Sequence, residues 1–314
     1  MLAFFQRKLV FVGQSFARNV PLRADSVPFT TDGLRDTQVT MADGTVLNGW
    51  IALAEGSTRP DAEALGGRPL VVYFGGNAGT RKFRLSSLQM LTELGLNVLI
   101  VDYRSYADNT GRPSEAGFVR DGRAIVEYAR TTLGVPIGRI IICGESLGGG
   151  VATAVAAQLC EEDLVPAALI LRATFASLVE TAAYHYPFLP VRLLLIDRFP
   201  SEDRIGRVRC PILQLHGDDD VVVPYSHGRR LFEAAPATSD NGIAKTWVTL
   251  EGVGHNNVMH LAADRVSLAI ATFLETTHLA VPNELLDEAT AGDAPEPATE
   301  QSVEQSPAPT QRTD

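Results

Sequence analysis

The sequence predicts an α/β fold in which a mostly parallel central sheet is covered by helices on both faces. Short apolar runs of strand length alternate along the chain with longer helical patterns, which is typical of parallel strands joined by crossover helices. The 314 residues are 45% hydrophobic and 20% charged, enough for one globular domain with a large core. This composition excludes a collagen-like chain, a coiled coil and a chain that is disordered throughout.

The individual elements follow from apolar runs, helical periodicity and turn signals. Residues 27–54 are expected to form an antiparallel hairpin that feeds the sheet, because Asp43-Gly44 is a turn signal between two alternating runs. Helix starts are predicted where Ser114 precedes Glu115 and where Ser226 precedes an apolar-periodic run. The predicted strands are 45–54, 69–74, 97–102, 139–143, 167–171, 211–216 and 246–251, and the predicted helices are 81–94, 114–133, 147–159, 226–235 and 260–275.

The chain is predicted to consist of one domain, residues 24–278, and two ends outside its core. Residues 1–23 carry four basic and no acidic residues, and Gln6-Arg7-Lys8 interrupts their apolar clusters. A membrane span needs about 20 apolar residues, so this segment is not predicted to cross a membrane. We expect it to pack on the body or rest on a membrane surface of a cytoplasmic protein, although its composition is also compatible with a mitochondrial presequence.

Most of the negative charge lies at the opposite end. Residues 279–314 contain eight acidic residues and one basic residue, so this tail carries −7 of the net charge of −10. The tail has too little apolar surface to offset the entropy of ordering, and we predict that it is disordered. An acidic chain is a poor ligand for nucleic-acid phosphates, so nucleic acid is not an expected partner. No two of the three cysteines form a Cys-x-x-Cys pair, and all three are expected to be buried and reduced.

A candidate nucleophile lies where the predicted strand 139–143 meets the next helix. Gly144-Glu145-Ser146-Leu147-Gly148 is a G-x-S-x-G sequence in strand, turn, helix order, a context in which a sharp turn exposes the serine hydroxyl. The structural alternative is an ordinary glycine-rich turn. A second alternative is a dehydrogenase-type nucleotide turn, but the sequence contains no Tyr-x-x-x-Lys pair and this turn lies in the middle of the sheet.

A serine nucleophile needs a base and an acid, and the expected chain order for this turn is serine, acid, histidine. Residues 216–220 end one later strand with a histidine and three aspartates, and His255 lies in a glycine-flanked loop after the last predicted strand. The other five histidines have structural explanations, and His216 is interpreted as a strand-end turn residue. The spacing does not decide which aspartate is the acid. The acidic run is alternatively a solvated turn or a weak calcium loop, although its spacing does not match such a loop.

An oxyanion formed at a carbonyl needs backbone N–H donors. Leu147 supplies the donor that follows the nucleophile, and the loop 74–79 after an earlier strand is expected to supply the second. Small residues keep this loop open to substrate, and the N–H of Asn77 is the best candidate for the second donor. The loop is alternatively a tight strand-to-helix connection, whereas a phosphate cradle would require the Gly-Lys-Ser/Thr sequence that this chain lacks.

The chain resembles serine hydrolases of the α/β-hydrolase superfamily, in particular its small abhydrolase-domain and serine-aminopeptidase-like branch. The resemblance extends from about residue 5 to residue 273 and rests on 74–79, 102–106 with 111–115, 144–148, 197–200, 216–224 and 254–256. It implies Asp220 as the acid, and therefore a triad of Ser146, Asp220 and His255 with Asn77 and Leu147 as the oxyanion hole. It also implies that no metal or organic cofactor is needed. Two departures are Gly75, where the family has histidine, and Ser105-Tyr106-Ala107 in place of Gly-Tyr-Gly.

The resemblance implies hydrolysis of a carboxylic ester or thioester with an acyl or lipid-like group, through an acyl-enzyme. Alternatives are a serine peptidase or amidase that acts on short peptides, or a hydrolase-like binding protein without activity, which the two departures would favour. The expected partners are small ester substrates, with membrane contact through residues 1–23. Residues 172–210 are expected to form a small cap insertion, and their aromatic and aliphatic side chains either line an acyl pocket or pack in the core.

Overall fold

The computed structural model describes residues 7, 10–12, 21–29, 33–54 and 68–279. Most of the predicted N-terminal segment and all of the predicted tail except Leu279 lie outside these residues. The domain boundaries and the disorder of the tail therefore stay predictions.

The described residues contain an eight-stranded sheet with the order β1-β2-β4-β3-β5-β6-β7-β8. The first two strands form the predicted hairpin, β2 pairs antiparallel with β4, and every later pairing is parallel. The prediction of a mostly parallel sheet is thereby confirmed. The strands are β1 (Leu34–Thr40), β2 (Val46–Ala52), β3 (Leu70–Phe74), β4 (Asn97–Val101), β5 (Ile140–Glu145), β6 (Ala168–Arg172), β7 (Ile212–Gly217) and β8 (Thr246–Leu250).

Helices follow the parallel strands, and one of the two predicted helix starts is confirmed. The hydroxyl of Ser114 accepts a hydrogen bond from the N–H of Gly117 at 3.0 Å, which confirms the predicted helix start. Ser226 is not a cap, since that helix begins one residue earlier. The helices are α1 (Leu85–Glu93), α2 (Glu115–Thr131), α3 (Leu147–Glu161), α4 (Leu178–His185), α5 (Val191–Leu194), α6 (Ser201–Ile205), α7 (Tyr225–Ala234), α8 (Val258–Leu261) and α9 (Ala263–Thr276).

The predicted helix 260–275 is wrong in one respect, because the structure divides this stretch into α8 and α9. Ala262, between them, has φ −139° and ψ 20°, outside the helical region. Its side chain is buried. Apolar spacing continues through this residue, so the periodicity of the sequence does not reveal the break.

The core lies on both faces of the sheet. In β3, Leu70, Val72 and Phe74 face one apolar cluster, whereas Val71 and Tyr73 face the other. Helices α2 and α3 cover the first face, and α1 and α9 cover the second. Burial on both sides explains why the central strands are apolar throughout and do not alternate. The three cysteines are buried and free, as expected.

The segment between β6 and β7 holds α4, α5 and α6. Its large apolar side chains from Tyr184 to Ile196 are exposed, so the core-packing alternative is wrong for them. They are Tyr184, Tyr186, Phe188, Leu189, Leu193, Leu194 and Ile196.

The described part of the N-terminal segment packs on the body. Phe11 is fully buried, and its ring lies 5.0 Å from that of Phe118, measured between centroids. Arg7 donates two hydrogen bonds to the carboxylate of Asp197, at 2.7 and 3.2 Å. Among the residues that the structure describes, no helix is long and apolar enough to cross a membrane.

Arg81 connects the loop after β3 to the end of β4. Its guanidinium is 1% exposed and lies 2.5 Å from Asp102 and 2.9 Å from Asp108. It also donates to the carbonyl of Leu22 at 2.6 Å and lies over the ring of Trp50. Burial raises the pKa of Asp102 even though the guanidinium opposes this. The carboxylate of Asp102 therefore depends on Arg81 for its charge balance.

We predict that Arg81→Met lowers the free energy of unfolding by about 3–5 kcal/mol, because it leaves buried carboxylates without a cation. The matched control is Arg130→Met, which removes a half-exposed partner of Glu127 and should cost less than about 1 kcal/mol. Urea unfolding of both variants measures the difference. Equal losses of unfolding free energy in the two variants would contradict the role of Arg81 as the cation that balances the buried carboxylates.

Candidate active site

Ser146 occupies the turn between β5 and α3. Its φ of 53° and ψ of −117° lie in a region that residues other than glycine rarely adopt. Its N–H donates to the carbonyl of Arg172 in β6 at 3.0 Å, and its carbonyl accepts from the hydroxyl of Thr174 at 2.8 Å. The neighbouring strand β6 and the residues directly after it thus hold the N–H and the carbonyl of Ser146.

The two glycines of the G-x-S-x-G sequence are required by close backbone contacts. A Cβ at Gly144 would lie 2.4 Å from the carbonyl oxygen of Gly148. A Cβ at Gly148 would lie 2.0 Å from the carbonyl oxygen of Phe74 in β3. Any side chain at these positions would push the turn away from the sheet. The sequence pattern therefore has a direct steric cause.

The structure brings Ser146, His255 and Asp220 together, although they are far apart in the chain. Nε2 of His255 lies 3.0 Å from Oγ of Ser146, and Nδ1 of His255 lies 2.7 Å from Oδ2 of Asp220. Asp220 follows β7, and His255 lies in the loop between β8 and α8. Because these parallel strands end at the same edge of the sheet, their loops meet above Ser146.

The other two aspartates of the acidic run point elsewhere. Asp218 is exposed and accepts the N–H of Gly252 at 2.7 Å, and Asp219 is also exposed. In the part of the chain that the structure describes, no group of three or more His, Cys, Asp or Glu side chains could hold a metal ion.

Asp220 is buried and surrounded by donors. Its Oδ1 accepts the backbone N–H groups of Val222 and Val223, at 2.9 and 2.8 Å. Burial alone would raise the pKa of this carboxyl, but hydrogen bonds from His216 and His255 outweigh it and hold the pKa well below its usual range. The side chain is therefore ionised near neutral pH and accepts the Nδ1–H of His255.

His216 is a residue that the sequence interpretation missed. It is fully buried, not a turn residue, and its Nε2 lies 3.4 Å from Oδ2 of Asp220. The same nitrogen lies 2.9 Å from the carbonyl oxygen of Val223, and the ring stacks against Trp247. A carbonyl only accepts, so Nε2 carries the proton. The four-residue spacing between His216 and Asp220 was the available signal.

The loop 74–79 lies beside the serine, as predicted for an oxyanion loop. A Cβ at Gly76 would be 3.5 Å from the Cβ of Ser146. Asn77 and Leu147 line the same cavity as the serine. Leu147 is the first residue of α3, where backbone N–H groups have no partner within the helix. Asn77 and Leu147 thus line the same cavity as Ser146, and their role as oxyanion donors stays a prediction.

A half-buried ionic cluster lies beside this turn and lines the cavity, and the sequence interpretation did not foresee it. Glu145 lies 2.6 Å from Arg172 and 3.1 Å from Arg84, and it accepts the hydroxyl of Tyr73 at 2.8 Å. Burial opposes ionisation, but the two guanidinium groups dominate and lower the pKa of Glu145 to about 2. Arg84 also donates to the carbonyl of Ala78 at 3.1 Å, which links the cluster to the oxyanion loop.

The triad opens into a cavity of about 570 Å³. This volume is within the usual range for small-molecule sites, about 300–1,000 Å³. Most of its side chains are apolar, and two of them, Val10 and Val12, come from the N-terminal segment. Three charged residues, Arg84, Glu145 and Arg172, also line it. The other apolar residues are Ala78, Phe83, Leu147, Ala173, Phe175, Leu178, Val222, Val223, Val258 and Met259. The cap contributes through α4, whereas its exposed aromatic residues do not line the cavity.

Two curated relatives are similar to this chain in sequence. The uncharacterized protein Rv2307c of Mycobacterium tuberculosis strain H37Rv is 40% identical over 273 residues, which cover 87% of this chain and 88% of that protein. The lysophosphatidylserine lipase ABHD12 of Danio rerio is 32% identical over 227 residues, which cover 67% of this chain. The chain spans 59% of the length of that lipase. No protein-family model matches the chain.

A solved structure with a similar fold is the esterase Pf2001 of Pyrococcus furiosus. The TM-score is 0.59, and the match covers 81% of this chain and 96% of the esterase. The sequences are 18% identical, so the likeness concerns the fold.

We predict that Glu145→Gln destabilises the protein by about 3–5 kcal/mol near pH 7, because the variant leaves the buried guanidinium of Arg172 and the half-buried guanidinium of Arg84 without their carboxylate. The folded-state pKa of about 2 is below the ordinary value of 4.5, so the contribution is complete above pH 4.5 and is lost as the pH falls towards 2. The stability gap between wild type and variant should therefore narrow on acidification.

Urea unfolding between pH 7 and pH 3 measures this gap. Glu127→Gln is the control, because it removes an exposed carboxylate that pairs with Arg130. A gap that is constant over this range would contradict the ionic role of Glu145.

Proposed function

Because the chain belongs to the α/β-hydrolase superfamily of serine hydrolases, we propose that it cleaves carboxylic esters or thioesters through an acyl-enzyme on Ser146. The observation that carries this proposal is the continuous hydrogen-bond chain from Ser146 through His255 to Asp220. A serine hydroxyl is a weak nucleophile unless a base accepts its proton. The hydrogen-bond chain includes both the base, His255, and the acid that orients it, Asp220.

In the acylation step, Oγ of Ser146 forms a bond to the substrate carbonyl carbon while its proton passes to Nε2 of His255. Ionised Asp220 holds Nδ1–H, so the lone pair of Nε2 faces the serine. The N–H groups of Asn77 and Leu147 stabilise the negative charge on the carbonyl oxygen. The tetrahedral intermediate collapses when the bond to the leaving oxygen or sulfur breaks and this atom takes the proton from His255.

In the deacylation step, water enters the same site and His255 accepts one of its protons. The hydroxide oxygen bonds to the acyl carbon, and a second tetrahedral intermediate releases the carboxylic acid. Oγ of Ser146 regains its proton from His255, so the enzyme returns to its starting state.

The acyl group of the substrate is proposed to be apolar and lipid-like. The cavity beside Ser146 has an apolar part, on which a hydrocarbon chain can pack, and a polar part that includes Arg84, Glu145 and Arg172. The apolar part supports an acyl chain as the group that binds there. The relative in Danio rerio is named as a lipase of a lysophospholipid, which supports an acyl ester as the substrate class.

We predict that a fluorophosphonate probe labels the wild-type protein and fails to label Ser146→Ala. The probe forms a covalent bond with an activated serine and does not require knowledge of the substrate. Ser26→Ala is the control, because Ser26 is exposed and bonds only to the nearby carbonyl of Arg23 among the described residues. Asp220→Asn should lower kcat about 10⁴-fold, because an amide in place of the carboxylate favours the wrong tautomer of His255. Labelling that persists in Ser146→Ala, or an unlabelled wild type, would refute the proposed nucleophile.

We predict that p-nitrophenyl esters are cleaved faster as their acyl chain lengthens, until the cavity is full. Each methylene that leaves water contributes about 0.8 kcal/mol, or about fourfold in kcat/KM. Steady-state rates on a series of chain lengths measure this, and aminoacyl amides of matched size are the comparison. Faster turnover of the amides would replace the ester assignment by a peptidase or amidase.

A further inference from the structure

The N-terminal segment reaches the loop that carries the proposed oxyanion donor Asn77. We propose that Val10 and Tyr106 are positioning residues of the active site, which fix the side chain of Asn77 and thereby the direction of its backbone N–H. This inference rests on the proposed function, since it assigns a partner to one of the two oxyanion donors. We call the arrangement of the Val10 carbonyl, the Asn77 amide and the Tyr106 hydroxyl the Asn77 clamp.

Both ends of the Asn77 amide are hydrogen-bonded. Nδ2 of Asn77 donates to the carbonyl oxygen of Val10 at 2.6 Å, and Oδ1 accepts the hydroxyl of Tyr106 at 2.7 Å. The Val10 carbonyl can only accept, which fixes the amide orientation. Val10 precedes Asn77 by 67 residues, and Tyr106 follows it by 29. The side chain is thus held between two distant parts of the chain.

The loop needs such support because its own residues are small. Asn77 lies between Gly75-Gly76 and Ala78-Gly79, and Gly79 has a φ of 82°. Glycine gains conformational freedom from its missing Cβ, so these neighbours do not by themselves restrict the peptide plane at Asn77. A side chain that is fixed at both ends restricts the same Cα from which the N–H projects. The clamp therefore replaces the rigidity that the loop lacks.

One aromatic ring contacts both Tyr106 and the residue that follows Val10. Phe118, fully buried in α2, contacts the ring of Phe11 with a centroid distance of 5.0 Å and that of Tyr106 with 5.8 Å. The bidentate pair between Arg7 and Asp197 holds the segment one helical turn before Phe11, whose N–H donates to the carbonyl of Arg7. Burial of Phe11 is therefore coupled to the position of the Val10 carbonyl.

The backbone on either side of Tyr106 adopts unusual conformations. Ser105 has a φ of 73° and Ala107 a φ of 51°, in the left-handed region that favours glycine. The chain thus keeps Tyr106 in place at the cost of two strained residues. A position maintained in this way is consistent with a role for the tyrosine hydroxyl.

The first experiment removes one hydroxyl. We expect Tyr106→Phe to lower kcat on a p-nitrophenyl ester about tenfold with KM unchanged, since complete loss of an oxyanion donor costs about 10²–10³-fold. The affinity for a trifluoromethyl ketone, which forms a tetrahedral adduct with an oxyanion, should fall by the same factor. Tyr128→Phe is the matched control, because the hydroxyl of Tyr128 pairs with Thr37 away from the cavity. A change only in the melting temperature or in KM would overturn the proposal.

The second experiment tests the N-terminal segment through Phe11, which does not line the cavity. We expect Phe11→Ala to lower kcat by a similar factor because the Val10 carbonyl loses its support. In an Asn77→Ala background the amide is gone but the backbone N–H remains, so Phe11→Ala should then have no further effect on kcat. An equal loss in both backgrounds would show that Phe11 acts by another route and would overturn the clamp.

Two controls keep the outcomes distinct. Phe11→Leu keeps most of the buried volume, so it serves as the second variant if Phe11→Ala does not fold, and it should lower kcat less. Wild-type labelling by the fluorophosphonate probe is measured first. A wild type that is neither labelled nor active refutes the proposed function, whereas an active wild type with full kcat in Tyr106→Phe refutes the clamp alone.

Discussion

Ser146 has a backbone conformation that a serine keeps only where its surroundings impose it. Three neighbouring strands impose it here. The end of β3 approaches the turn so closely that position 148 must be glycine, and β6 binds the serine N–H through a carbonyl. The order β3-β5-β6 in the sheet is thus a condition for the conformation of Ser146, and the same turn places Leu147, the proposed oxyanion donor, at the start of α3.

The cluster beside this turn balances the negative charge that the fold places at Glu145. Glu145 ends β5 in a half-buried position, and the adjacent strands supply Arg172 and Tyr73 as partners. Arg84 completes the cluster and is also close to the oxyanion loop, where its Nε would lie 3.7 Å from a Cβ at Gly75. The space that a histidine side chain would need at position 75 is therefore next to a guanidinium. Arg84 therefore lies where a side chain at position 75 would extend, and glycine leaves this space to the guanidinium.

Local patterns predicted much of the fold and part of the site. The alternation of strands and helices and the membership of the α/β-hydrolase superfamily were correctly identified, because apolar runs and G-x-S-x-G are short-range signals. The choice of Asp220 came from family resemblance, since three adjacent aspartates look alike in sequence. The contacts of His216 with Trp247 and of Asn77 with Val10 depend on long-range packing, and neither periodicity nor spacing contains that information.

The loop 74–79, which carries the proposed oxyanion donor Asn77, shows that composition alone does not reveal which terminal segments contact the site. Small residues open its backbone to the substrate, and for the same reason they leave the direction of each N–H to be set from outside the loop. The outside contacts are the hydroxyl of Tyr103 on Gly75, Arg84 on Ala78, and the two bonds to the side chain of Asn77. One of these contacts comes from a basic, apolar segment that composition alone separates from the catalytic domain. A segment that contributes one carbonyl to such a loop belongs to the site by geometry, whatever its charge or hydropathy.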